Sequence, residues 1–200
     1  RQDDGIYHKT AYWGTVSVGQ PALAFNVVFD TGSGHLILPS TYCHSETCRV
    51  HRRYRRANSL TAKDIDYNGV LVTPGDLRDH ITVSFGTGEV TGVFIEDVVC
   101  MGGTEPLESR TMDNSTASDV ATHGAVVMQR KGQLPDGCLG LRMIAATDMS
   151  QDPFKDFQFD GVLGLGLRGL SQTPEFNLMH IISTAAQAES LNPHMFSVFL

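Results

Sequence analysis

An acidic residue closes one apolar strand, and a second apolar strand opens six residues later. Phe25, Val27 and Phe29 alternate up to Asp30, Thr31-Gly32-Ser33-Gly34-His35 intervene, and Leu36-Ile37-Leu38-Pro39 follows. Alternation with period two lays one face of a segment on a core, so both flanks of this turn are committed to β structure. An acid held between two such strands is expensive to desolvate. Its pKa rises unless donors from Gly32, Ser33 or a neighbouring segment hold the charged form. Asp30 is therefore either a well hydrogen-bonded turn residue, which is the common case for Asp before Gly, or a functional acid.

The same period recurs along the chain. Trp13-Gly14-Thr15-Val16-Ser17-Val18-Gly19 leads into a Gln20-Pro21 turn, so a strand pair is expected with the segment ending at Asp30. Ile81, Val83 and Phe85 alternate into Gly86-Thr87-Gly88-Glu89, and Val90 to Ile95 resumes, which predicts a hairpin with a mobile tip. The polar segment Met101 to Gly137 reads as an excursion. Near the end, Thr173 as N-cap, Pro174, Glu175 and the face Leu178, Ile181, Ile182 and Ala185 predict a helix that stops before Asn192-Pro193. Phe196 to Leu200 is expected to be a strand whose open edge pairs with more chain or another molecule.

With 200 residues, 41% of them apolar, the chain can bury a substantial core as one large domain or two small ones. Fifteen Lys and Arg against 22 Asp and Glu give a net charge of -7, which disfavours nucleic acid as a partner. No run approaches the ~18 apolar residues of a membrane span. The opening Arg1-Gln2-Asp3-Asp4 has neither an initiator Met nor an apolar leader, so a signal or pro-segment is expected to have been removed or to lie outside this sequence. Four cysteines permit two disulfides in three pairings and suit an oxidising compartment.

Asp30-Thr31-Gly32-Ser33 behind an apolar strand resembles the N-terminal active-site loop of pepsin-like aspartic endopeptidases. Four further segments resemble the family in the same order: the strand pair from Tyr12, the flap hairpin around Phe85-Gly86-Thr87-Gly88, the element Phe159-Asp160-Gly161-Val162-Leu163-Gly164-Leu165 beneath the catalytic turn, and the interlobe strand Phe196-Ser197-Val198-Phe199-Leu200. Cys43 and Cys48, followed by His51 and Tyr54, fall where many members carry a short disulfide loop. The resemblance implies a mainly β fold, the six-stranded, double-psi type barrel of a pepsin-like acid protease lobe with short helices. Residues 1–200 would be the N-terminal lobe, with a long inserted loop at about 101–137 and the second lobe absent from this chain.

It also implies a chemistry. Two carboxylates, one per lobe, share a proton and a water; the ionised one deprotonates the water as it attacks a peptide carbonyl, and the protonated one hydrogen-bonds the carbonyl oxygen. Asp30 would be one of the pair, Thr31 and Gly32 would hold it, Ser33 would donate to its outer oxygen, and Phe85, Gly86 and Thr87 would close the flap over an extended peptide. No cofactor or metal is implied. The second Asp-Thr-Gly or Asp-Ser-Gly is missing, so a C-terminal or partner lobe is expected to supply it. Most members pair a flap Tyr with a Trp beyond the turn, and this chain has Phe85 and Ile37 there. The competing reading is therefore a catalytically inactive lobe that serves as a binding or structural subunit of a larger assembly.

Several features carry blander readings. Gly164-Leu165-Gly166-Leu167-Arg168-Gly169 matches a dinucleotide fingerprint but no helix opens within it and no βαβ unit precedes it. Cys43, His44, Cys48 and His51 suggest zinc, yet a disulfide is favoured over that spacing. Cys100 is paired with Cys138, because the strands after Glu96 and before Leu141 look adjacent. Arg49, Arg52, Arg53, Arg55 and Arg56 read as a solvated loop in preference to an anion site or a processing site. His35, where the family commonly has Asn, reads as a loop residue in preference to a pH-sensitive neighbour. Asn114-Ser115-Thr116 is a glycosylation acceptor if the chain enters the secretory pathway, which with the cysteines places it outside the cell or in an organelle lumen.

Overall fold

A computed structural model describes residues 11–101, 134 and 137–188. Its strands are β1 (Trp13–Val18), β2 (Leu23–Asp30), β3 (Leu36–Pro39), β4 (Lys63–Ile65), β5 (His80–Phe85), β6 (Gly88–Met101), β7 (Cys138–Met149) and β8 (Gly161–Gly164). Two α-helices, α1 (Glu46–Val50) and α2 (Leu178–Ala188), and short 3-10 turns complete it. Neighbours run β1-β2-β8-β3-β7-β6, and β6 also pairs with β1, so six strands close on themselves and leave no free edge in that ring. β4 and β5 extend β6 outside the ring.

The expected strand pair and flap hairpin both form. β1 and β2 run antiparallel from Trp13↔Val28 to Val18↔Leu23, and β5 pairs with β6 from His80↔Val93 to Phe85↔Gly88. That leaves Gly86 and Thr87 as a two-residue turn, with Gly86 at φ +58°, where a side chain is disfavoured. Alternate residues of single strands serve two apolar clusters. Leu36, Leu38, Val93 and Ile95 join Val16, Phe25, Val27 and Leu163 in one, while Ile37 and Phe94 join Val90, Ile144, Phe154 and Phe176 in the other. Burial on both faces is why β3 and much of β6 read as continuous apolar runs.

β6 and β7 run antiparallel and place Cys100 opposite Cys138, and both expected disulfides, Cys43–Cys48 and Cys100–Cys138, are present. The excursion after Met101, Asn114 and the strand expected at Phe196 to Leu200 lie outside the described residues. The last helix begins later than its sequence suggests. Pro174–Phe176 is a separate 3-10 turn, and α2 starts at Leu178 with Asn177 as its cap. Asn177 Oδ1 accepts the His180 N–H at 2.8 Å, while its Nδ2 donates to Gly166 O and Ser171 Oγ. A buried Phe176 and a triply bonded Asn177 stop the turn that Thr173 opens. Leu178, Ile181 and Ile182 pack on the core as expected, whereas Ala185 is exposed.

Candidate active site

β8 lies between β2 and β3, parallel to the first and antiparallel to the second. The Asp30 turn is the link between those two flanking strands, so it must pass over the end of β8. Three backbone bonds seal the crossing: Leu165 N–H to Asp30 O (2.7 Å), Gly166 N–H to Ser33 O (2.8 Å) and Gly164 N–H to His35 O (2.9 Å). A Cβ on Gly164 or Gly166 would drive into the backbone of Ser33, Gly34 or Thr31. The glycines that mimic a dinucleotide fingerprint are thus required by close approach of two chain segments. Asp160 braces the same region, since its carboxylate accepts the Asn26 N–H at 3.0 Å and the Arg52 N–H at 2.8 Å.

Asp30 is half-buried, and its Oδ1 accepts the Gly32 N–H at 2.9 Å. That is the backbone contact expected of Gly32. The hydroxyl contacts are not made. Thr31 is exposed with no hydrogen bond to the carboxylate among the described residues, and Ser33 Oγ is buried without a partner. The Gly32 bond curls the turn so that Ser33 points inward beneath it, where an unpaired hydroxyl costs about 1–3 kcal/mol.

Beside Asp30 opens a cavity of about 700 Å³ whose wall includes Tyr12, Phe29, Phe85, Phe154, Phe157 and Phe159. Phe85 meets Phe154 edge to face at 5.7 Å, Phe154 meets Phe157 at 6.0 Å, and Phe157 lies 4.5 Å from Phe159. Such contacts give an apolar wall of defined shape. Phe154 and Phe157 went unread in the sequence; the spacing Phe154-x-x-Phe157-x-Phe159 just before β8 is the signal that could have found them. Ile37 is buried in the cluster against which Phe85 packs, so both positions are apolar and no hydrogen-bond donor is orphaned at either.

His35 is buried, with its ring edge to face on Phe176 at 5.4 Å and its Nε2 accepting the Gln172 N–H at 3.1 Å. Burial pushes its pKa down to about 4. His35 is thus a loop residue, as its sequence position suggests, but one whose ring is buried. Cys43 and Cys48 spend their sulfurs on a disulfide, and His51 Nε2 bonds Phe154 O at 2.9 Å. The arginines that follow His51 are dispersed: Arg52 donates to Ala24 O, Arg53 to Cys43 O, and Arg56 pairs with Asp64 at 2.7 Å. Among the described residues, no helix is long and apolar enough to cross a membrane.

Residues 11–143 match the family model for eukaryotic aspartyl protease. Guinea pig (Cavia porcellus) gastricsin is 31% identical over 198 residues, covering 97% of this chain and 37% of that protein. Cathepsin E of Rattus norvegicus is 29% identical with the same coverage of 97% and 37%, and Bos taurus pepsin A is 39% identical over 97 residues, 48% of this chain and 23% of its own. The chain thus spans little more than a third of the length of the curated relatives that it matches along its whole extent. The strand-turn-strand carrying Asp30 and the flap fall within a family match that covers most of the chain, the Gly-rich crossing falls within the stretch shared with gastricsin, and the chain belongs to the eukaryotic aspartyl protease family.

Proposed function

We propose that residues 1–200 form the N-terminal lobe of an aspartic endopeptidase, in which Asp30 is one of two carboxylates that activate a water against a peptide bond. The observation that carries this reading is the Asp30 carboxylate held by the Gly32 N–H at the edge of an aromatic cavity beneath the Phe85 hairpin. The partner carboxylate comes from a second lobe. The ionised member of the pair takes a proton from water as the water oxygen bonds the carbonyl carbon; the protonated member hydrogen-bonds the carbonyl oxygen; the amide nitrogen then gains a proton and its C–N bond breaks. Two close carboxylates titrate as a pair with separated apparent pKa values, so an acid optimum is expected. Phe85, Gly86 and Thr87 cover an extended peptide, the Gly32 N–H and the Ser33 carbonyl support the turn, and large apolar side chains suit the wall of Phe154 and Phe157.

The two disulfides support a secretory route, ending outside the cell or in an organelle lumen. Asp30→Asn in the full-length protein tests the mechanism: acid-optimum peptide cleavage should fall at least ~100-fold and binding of a statine-type transition-state analogue should weaken. Cleavage that survives the substitution removes Asp30 from the reaction. A second reading, a non-catalytic lobe acting in a larger assembly, is favoured by the apolar pair Phe85 and Ile37 and by the unpaired Ser33 hydroxyl. It predicts no cleavage by the wild-type protein.

A further inference from the structure

We propose that Thr87 and Asp152 are positioning residues that hold the flap against the cleft wall through the hydrogen bond from Thr87 Oγ1 to Asp152 Oδ2. The bond is 2.9 Å long and spans 65 residues of sequence, from the hairpin tip to the segment between β7 and the Phe154 turn. Phe85, at the end of β5, has no hydroxyl, so the flap cannot be fixed by a polar bond from that side chain. The polar contact is made two residues further along the turn.

The contact has a backbone frame. Ser150 N–H donates to Glu89 O at 3.0 Å, and Glu89 N–H donates to Ser150 Oγ at 3.0 Å, which pins the returning strand at its first residues. Ser150 Oγ in turn donates to Asp152 O at 2.8 Å, fixing the bend that presents the Asp152 carboxylate. Gly88 lies so close to Pro153 and Phe154 that a Cβ there would collide with them, and Phe85 rests edge to face on Phe154. One wall segment, Ser150 to Phe154, thereby touches the hairpin at every residue from Phe85 to Glu89 except Gly86.

That segment is itself held from behind. Thr47 Oγ1 donates to Ser150 O at 3.0 Å, His51 Nε2 bonds Phe154 O, and Lys155 pairs with Glu46 at 2.9 Å. The disulfide-bridged segment from Cys43 through α1 to His51 is therefore the backing for the wall, and the wall is the seat for the flap. At the other end of the hairpin turn, a Cβ on Gly86 would meet open space, and its φ of +58° is one that glycine adopts without steric cost. Thr87 and Asp152 set where the tip rests when a peptide enters.

The functional consequence rests on the protease reading, but the contact can be tested without it. Hydrogen exchange at Gly86 to Glu89 in the full-length protein should quicken about threefold in Thr87→Val and in Asp152→Ala, as loss of one exposed hydrogen bond predicts, while β7 amides keep their protection. The double variant should exchange no faster than either single one, and the conservative changes Thr87→Ser and Asp152→Asn should restore wild-type rates. Unchanged tip exchange, or a double variant whose effect is the product of the singles, overturns the proposal. With a peptide substrate, Asp152→Ala should lower kcat/KM about threefold, mainly through KM. A wild-type protein that cleaves nothing yet shows the coupled exchange overturns the protease reading and keeps the flap contact; cleavage with unmoved exchange does the reverse.

Discussion

Protonating His35 inside the folded lobe breaks a hydrogen bond, because its Nε2 is the acceptor for the Gln172 N–H. Burial holds its pKa at about 4 against 6.5 for the exposed side chain. The unfolded chain therefore takes up this proton first as the solution is acidified. The stabilisation is whole above the unfolded value, declines as pH falls from about 6.5 towards about 4, and is gone below that, a loss of about 3 kcal/mol. Urea midpoints at pH 7 and pH 4 check this: His35→Gln, whose amide oxygen can accept the same N–H, should lose less stability over that interval than wild type by about this amount. An equal loss in both proteins would remove His35 from the acid response. Asp30 was legible as a candidate acid because its own two strands announce it. The burial of His35 was not, since it depends on Gln172 and Phe176, well over a hundred residues away in sequence.

Among the elements, β6 carries a buried carboxylate, Asp97, opposite the apolar Leu141 of β7. Asp97 is 2% exposed and accepts from Tyr54 Oη (2.7 Å), Ser59 Oγ (3.1 Å), Thr61 Oγ1 (2.5 Å) and its neighbour Val98 N–H (2.8 Å). The loop from Tyr54 to Thr61 is thus fastened to the barrel by one carboxylate, and the same burial and bond push the Tyr54 phenol well above its usual range. Asp97→Ala should cost about 3–5 kcal/mol in denaturant unfolding and Tyr54→Phe about 1–3 kcal/mol, because each leaves buried polar partners unpaired. A loss under ~1 kcal/mol for Asp97→Ala would mean that water satisfies the loop. The Cys100–Cys138 bond, with a sequence separation of 38, is expected to contribute ~4 kcal/mol by loop entropy, against ~2 kcal/mol for Cys43–Cys48 at a separation of 5. Unfolding of the Cys100→Ser, Cys138→Ser double variant measures the first. Strands that alternate, such as β5, could be read locally; the start of α2 could not, because Asn177 takes the cap from Thr173 through contacts to Gly166 and Ser171 that sequence spacing does not reveal.

At the scale of the whole molecule, the ring of six strands depends on pairings between distant segments. β2 meets β8 in parallel from Val27↔Gly161 to Asp30↔Gly164, and β3 meets β7 in parallel from Leu36↔Met143 to Pro39↔Ala146. No local pattern states such a register; it was accessible only as what the ordered motifs of a family imply. The ring presents one acid at the turn over β8, and a water shared between two carboxylates needs another of comparable exposure facing it. Thr31 and Gly32, the exposed pair beside Asp30, and the partly exposed Phe29 leave that face open to a second lobe. On the endopeptidase reading proposed above, the natural polypeptide should exceed the 21.8 kDa of these residues by ~15 kDa or more, the size of a further compact domain, and should lose peptide cleavage when that part is removed. Intact-mass measurement under native and then denaturing conditions checks the first statement: all four cysteines are already paired within these residues, so a separate lobe would be held without a covalent bond and would come away on denaturation, while one continuous chain would not. A mass equal to this chain, with no copurifying lobe, would leave Asp30 without a partner carboxylate, and a binding role for the aromatic cleft would then take precedence over hydrolysis.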